Sequence, residues 1–129
     1  MGAKMFMSYA GADRRIAEQV AQSLKGSGVD LPVLPKDIRP GDDIGEALRK
    51  ALQDSDAVVV VLSDASVNSA FVMAELGAAI ALDKRIVAIK PSASPLQISL
   101  PTMSNVQILD VEGMSADEIA ATIRTRLMS

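Results

Sequence analysis

The sequence predicts an α/β domain built on a five-stranded parallel sheet. Three observations carry that expectation. Short apolar runs alternate along the chain with amphipathic stretches, as strands and crossover helices do. One of those runs, "AVVVVL" (Ala57 to Leu62), is continuous and β-branched, the mark of a strand covered on both faces. The chain has 129 residues, 49% of them hydrophobic, enough for one domain with a sizeable core.

Each element has its own signal. "KMFMSY" (Lys4 to Tyr9) is a first strand and runs into the turn "AGAD". A first helix follows over Asp13 to Lys25, with Ile16, Val20 and Leu24 on one face, until "GSG" stops it. "VDLPVL" (Val29 to Leu34) alternates with period two, and Pro32 makes it an edge strand. The polar loop "PKDIRPGDD" leads to a second helix over Asp43 to Asp54, with Ile44, Leu48 and Leu52 in register and a capping-box spacing between Asp43 and Glu46. "DAVVVVLS" (Asp56 to Ser63) is the central strand, and "SAFVMAELGAAIAL" (Ser69 to Leu82) the third helix. "RIVAIK" (Arg85 to Lys90) is the fourth strand, "SASPLQISLP" a loop, and "NVQILDV" (Asn105 to Val111) the fifth strand. The capping box "SADE" (Ser115 to Glu118) opens a last helix that carries Ile119, Ile123 and Leu127.

Parallel strands need right-handed crossovers, and five of them fit the order 2-1-3-4-5. That is a flavodoxin-like three-layer sandwich, with the Pro32 strand at an edge. No repeat or linker divides the chain, so residues 1–129 are expected to form a single domain.

Composition narrows the chemistry. The formal net charge of −3 argues against a nucleic-acid surface. The longest apolar run is too short to span a bilayer. The opening "MGAK" leads into no apolar leader segment, and Phe6 breaks the myristoylation pattern, so a cytoplasmic location is expected with no membrane partner. The chain holds neither cysteine nor histidine. Disulfides, thiolate nucleophiles, Ser-His-Asp catalysis and the usual transition-metal sites are thereby excluded, and no metal or cofactor is expected. Carboxylates, hydroxyls, lysine, arginine and backbone amides remain.

In an open parallel sheet, ligands bind beyond the carboxyl ends of the strands at the point where the strand order reverses. Here that crevice lies between the first and third strands, lined by "SYAGAD", "SDASVNS" and the start of the third helix, with "PKDIRPGDD" beside it. Two of the three aromatic residues, Tyr9 and Phe71, fall in this zone, either facing the crevice or plugging the seam between helix and sheet. The third helix carries a lone acid, Glu75. With Leu76 at the centre of the buried face, Glu75 lies about 100° around the helix, and Phe71 about 40° further. That places Glu75 on a shoulder, as a solvated residue or as a carboxylate at the crevice edge.

These segments resemble a TIR (Toll/interleukin-1 receptor) domain. "FMSYAGAD" (Phe6 to Asp13) looks like the first TIR box. "KDIRPG" (Lys36 to Gly41) is similar to the second, Arg-Asp-x-x-Pro-Gly, with Lys36 in place of arginine. "DAVVVVLSDASVNSAFVMAEL" matches the strand and helix that end in Ser-x-Trp-Cys-x-x-Glu-Leu, with Phe71 and Val72 at the Trp and Cys places. The late Phe-Trp motif of animal receptor TIRs is absent, which points to a bacterial-type domain.

The resemblance implies that Glu75 is catalytic for cleaving NAD, which would be substrate and not cofactor. It implies that Ser8, Tyr9, Ala10 and Phe71 shape the pocket; Arg14, Lys36 and Arg39 either meet the pyrophosphate or form a solvated basic surface. The loop from Lys36 to Asp42, including Gly41, would gate the pocket and mediate homotypic TIR–TIR self-association. The chemistry suits this composition. Nicotinamide leaves as a neutral base from a cationic ring, so no general acid is needed. A carboxylate beside the ribose supplies negative charge where the oxocarbenium-like transition state develops positive charge. The product, linear or cyclic ADP-ribose, depends on whether water or a base nitrogen reaches that centre first.

The alternative from another class is a TIR interaction module without turnover, docking through "KDIRPGDD". A response-regulator receiver shares the fold and Lys90-Pro91 echoes it, but the first strand ends in Ser-Tyr where a receiver needs a pair of acids. A flavodoxin's flavin-stacking aromatics and phosphate loop are missing. A nucleoside deoxyribosyltransferase-like enzyme would share the fold and the glutamate chemistry.

Overall fold

The computed structural model describes residues 4–29, 50, 52–92 and 106–128, with the backbone alone at 71 and 128. Four strands form one parallel sheet in the order β1-β2-β3-β4: β1 (Met5–Ser8), β2 (Ala57–Val61), β3 (Arg85–Lys90) and β4 (Val106–Asp110). These are the expected first, third, fourth and fifth strands, in the expected relative order. The expected second strand, and with it the edge role of Pro32, lies outside the described residues, as do "PKDIRPGDD" and most of the second helix. Of that helix, Lys50, Leu52 and Gln53 are described and helical, and Leu52 is buried.

Side-chain alternation along the strands builds two cores. Met5, Met7, Val59, Val61, Val87 and Ile89 point to one face. There they meet Ala17, Val20 and Leu24 of α1 (Arg14–Gly26) and Ile119 and Ile123 of α4 (Ala116–Met128). Phe6, Val58, Val60, Ile86 and Ala88 point to the other face and meet Val72, Leu76 and Ala79 of α3 (Ala70–Ala81). The register enforces this, because Phe6, Val58 and Ile86 sit side by side across three strands. Helices on both sides of β2 explain why its valines run without alternation; all five of its residues are buried.

The connections carry their own signals. A 3-10 turn (Gly11–Asp13) precedes α1, which runs to Gly26, one residue beyond the sequence-based limit; Gly28, at φ 91°, then turns the chain. A single-turn helix, α2 (Asp64–Val67), separates β2 from α3. At the start of α4 the expected capping box is present. Glu118 N donates to Ser115 Oγ at 3.2 Å, and Ser115 N donates to Glu118 Oε1 at 3.1 Å. Among the described residues no helix is long and apolar enough to cross a membrane.

Candidate functional site

The carboxyl ends of β1 and β2 are tied together by hydroxyls. β1 ends at Ser8, and Tyr9 and Ala10 lead into the 3-10 turn, which Asp13 N closes on Ala10 O at 2.9 Å. After β2, Ser63 caps α2 in a reciprocal box with Ser66: Ser66 N donates to Ser63 Oγ at 3.1 Å and Ser63 N to Ser66 Oγ at 2.8 Å. The Ser63 hydroxyl also donates to Asp13 Oδ2. One serine therefore fixes the loop after β1 to the loop after β2. The Ser-x-x-Ser spacing directly after a strand is the sequence signal of the α2 cap; the tie to Asp13 joins residues 50 apart and has no local signal. Ser69 then caps α3 by accepting from Val72 N at 3.3 Å.

Glu75 lies in the second turn of α3 and is wholly buried, with 0% exposure. This corrects the shoulder expectation. Among the described side chains of α3, those buried are Val72, Glu75, Leu76 and Ala79. At 100° per residue their arc centres between Val72 and Ala79, not on Leu76, which brings Glu75 to within about 50° of the centre. The outward positions are Ala70, Ala74, Gly77 and Ala81. Neither Glu75 oxygen has a hydrogen-bond partner of normal geometry among the described residues, and the same holds for the Ser8 hydroxyl. Loss of hydration on burial is the dominant effect and pushes the Glu75 carboxyl up to about 7 from 4.5; the neighbouring Ser8 hydroxyl opposes it. A buried carboxyl shifted toward neutral pH behind the end of β1 is a candidate functional group.

The other expected site residues fall as follows. Ser8 is fully buried on the α3 side of β1. Tyr9 is half-buried against the core on the α1 side, and Ala10 half-buried against the α3 side. Phe71 stands one turn before Glu75 on α3; its side chain lies outside the described residues, as do Lys36, Arg39 and Gly41 entirely. Arg14 is exposed and paired with Glu18 at 2.9 Å on the α1 surface. A shallow groove lined by Gln19, Ser23, Ser27 and Asp117, with Ser23 donating to Asp117 at 2.6 Å, lies between α1 and α4, across the sheet from Glu75.

Fold and site define a parallel-sheet α/β domain with a buried acid behind the carboxyl end of its first strand. A family model described as the TIR domain matches residues 5–127, and the chain belongs to that family. Among solved structures, the TIR domain of the Toll-related receptor TRR-2 from Hydra magnipapillata is 20% identical, with a TM-score of 0.62, covering 96% of this chain and 90% of its own. The CMP N-glycosidase BcmB from Clostridium botulinum is 17% identical, with a TM-score of 0.69, covering 96% and 99%. The TIR domains of the activated Roq1 resistosome, which recognises the effector XopQ, are 18% identical with a TM-score of 0.60, covering 97% and 72%. No protein of curated function is a significant match to the chain.

Proposed function

We propose that this chain is a cytoplasmic, bacterial-type TIR domain that cleaves the bond between nicotinamide and ribose in NAD, by hydrolysis or cyclisation, as part of a defence or cell-death signal. The observation that carries the reading is Glu75: a buried carboxyl, the one ionisable side chain on α3, on the helix that packs behind β1. Ionised, it places negative charge beside the ribose carbon as the glycosidic bond lengthens. Tyr9, Ala10 and Phe71 shape the pocket, with Ser8 at its floor. Lys36, Arg39 and Gly41 hold the pyrophosphate side, and the loop from Lys36 to Asp42 gates the pocket and joins neighbouring copies. BcmB, a protein of this fold, is an N-glycosidase, so the scaffold is compatible with breaking a base–ribose bond. The resistosome neighbour contains TIR domains in an assembly, which accords with action on self-association.

The test is nicotinamide release from NAD by concentrated protein, wild type beside Glu75→Gln, with products separated by chromatography. The variant is expected to lose about 10²-fold or more, the scale for removing one group that stabilises transition-state charge. A second reading has its own observation. The complete burial of Glu75 also suits an interaction module in which the acid never meets a ligand. Equal, negligible release from both folded and assembled proteins would establish that reading instead.

A further inference from the structure

Four polar or charged residues are buried among the described residues: Ser8, Ser55, Ser66 and Glu75. Ser66 is bonded to Ser63, and the Ser55 carbonyl accepts from Lys84 Nζ at 2.8 Å. The remaining two, Ser8 and Glu75, are the buried pair whose side-chain oxygens lack a partner of normal geometry. They lie on facing layers, one on the sheet and one on the helix packed over it. Ser8 follows Phe6 by two residues on β1 and so shares its face, toward α3. Glu75 comes down from α3 onto that face.

We infer that Ser8 is a positioning residue for Glu75: when the carboxyl ionises, the Ser8 hydroxyl donates to one of its oxygens, fixes its orientation and holds the charge in place. The kinetic consequence rests on the function proposed above; the contact itself does not. A buried hydroxyl with no exposure is poorly placed to bind a ribose, but well placed to orient a neighbour. Its hydrogen bond to an ionised oxygen is stronger than to a neutral one, so it acts selectively on the charged form.

The surrounding charges leave this task to Ser8. β1 and β2 present no ionisable side chain. Arg85 and Lys90 stand at the two ends of β3, and the Arg85 guanidinium donates to Leu127 O at 2.6 Å and Arg126 O at 3.1 Å. Asp64 on α2 and Lys50 before β2 are exposed, and Asp13 is engaged by Ser63. Among the described residues, burial raises the Glu75 carboxyl and the Ser8 hydroxyl opposes it.

The test follows Glu75 directly. The side-chain carboxyl carbon is titrated by ¹³C NMR in wild type, Ser8→Ala and Ser8→Cys, the last keeping the size with a weaker donor. The midpoint is expected to rise by about one pH unit in Ser8→Ala, a tenfold loss of ionised form below it, with Ser8→Cys between. An unmoved or lowered midpoint in whichever variant folds overturns the inference. Nicotinamide release against pH gives the second readout. The acidic limb of kcat/KM should move up with the midpoint while KM for NAD holds; a raised KM with an unmoved limb would make Ser8 a substrate contact and overturn the assignment. A moved midpoint in a protein without turnover would uphold the Ser8 contact and reject the proposed function, so the two failures are distinguishable.

Discussion

Glu75 ties the stability of the domain to pH, and the sign follows from its direction. Its folded carboxyl titrates near 7, against 4.5 when ordinary, because burial disfavours the charge. Between those values the folded chain holds a proton that the unfolded chain has released. Stability therefore falls as pH rises from about 4.5 to about 7, by about 3 kcal/mol if no other group intervenes. Glu75→Gln keeps the shape and removes the titration. Denaturation of both proteins at pH 4.5 and pH 8 should find them matched at the lower pH and the variant more stable at the higher. A difference that does not change with pH would mean that the carboxyl is solvated in the folded state. Under the proposed function the acid is in tension with its setting: the ionised form that stabilises an oxocarbenium is the form the closed fold disfavours.

At the scale of elements, α3 is built to bury one stripe and leave the opposite one small. Its outward face is Ala70, Ala74, Gly77 and Ala81. A Cβ added at Gly77 would meet nothing within 4 Å. Gly77→Ala should therefore stabilise the domain by about 0.5–1 kcal/mol through helix propensity alone, read as a rise in denaturation midpoint with an unchanged slope. A loss of stability would show that this face packs against something in solution. The small outward residues also explain what the sequence concealed about Glu75. Alanine is equally at home inside and outside, so an alanine-rich helix has no sharp apolar edge from which to measure angles, and choosing Leu76 as the centre displaced the acid toward solvent. Where the chemistry of a segment was unambiguous, it was legible. The valine run gave a doubly covered strand, and Ser115 with Glu118 gave a capped helix start. The Asp13–Ser63 tie was less legible because its partners lie 50 residues apart and only the fold brings them together.

For the whole molecule, the layers decide when the site is open. Glu75 has no exposed surface in a single copy, so under the proposed function substrate needs a rearrangement of the α3 layer or of the chain around it before the carboxyl meets ribose. If the open form is a fraction of the population, the apparent affinity for NAD falls by that fraction, about 100-fold for one open molecule in a hundred. Any contact between copies that favours the open form raises turnover without touching substrate, because binding to one of two states shifts the balance between them. The charge balance leaves room for such contacts, since a net −3 on 129 residues is a weak mutual repulsion. Specific activity measured across a dilution series should then rise with protein concentration, and should rise again when dilute protein is crowded or tethered. A Glu75→Gln series run in parallel should stay flat. Constant specific activity down to dilution would place opening within the single domain and remove self-association from the proposed function.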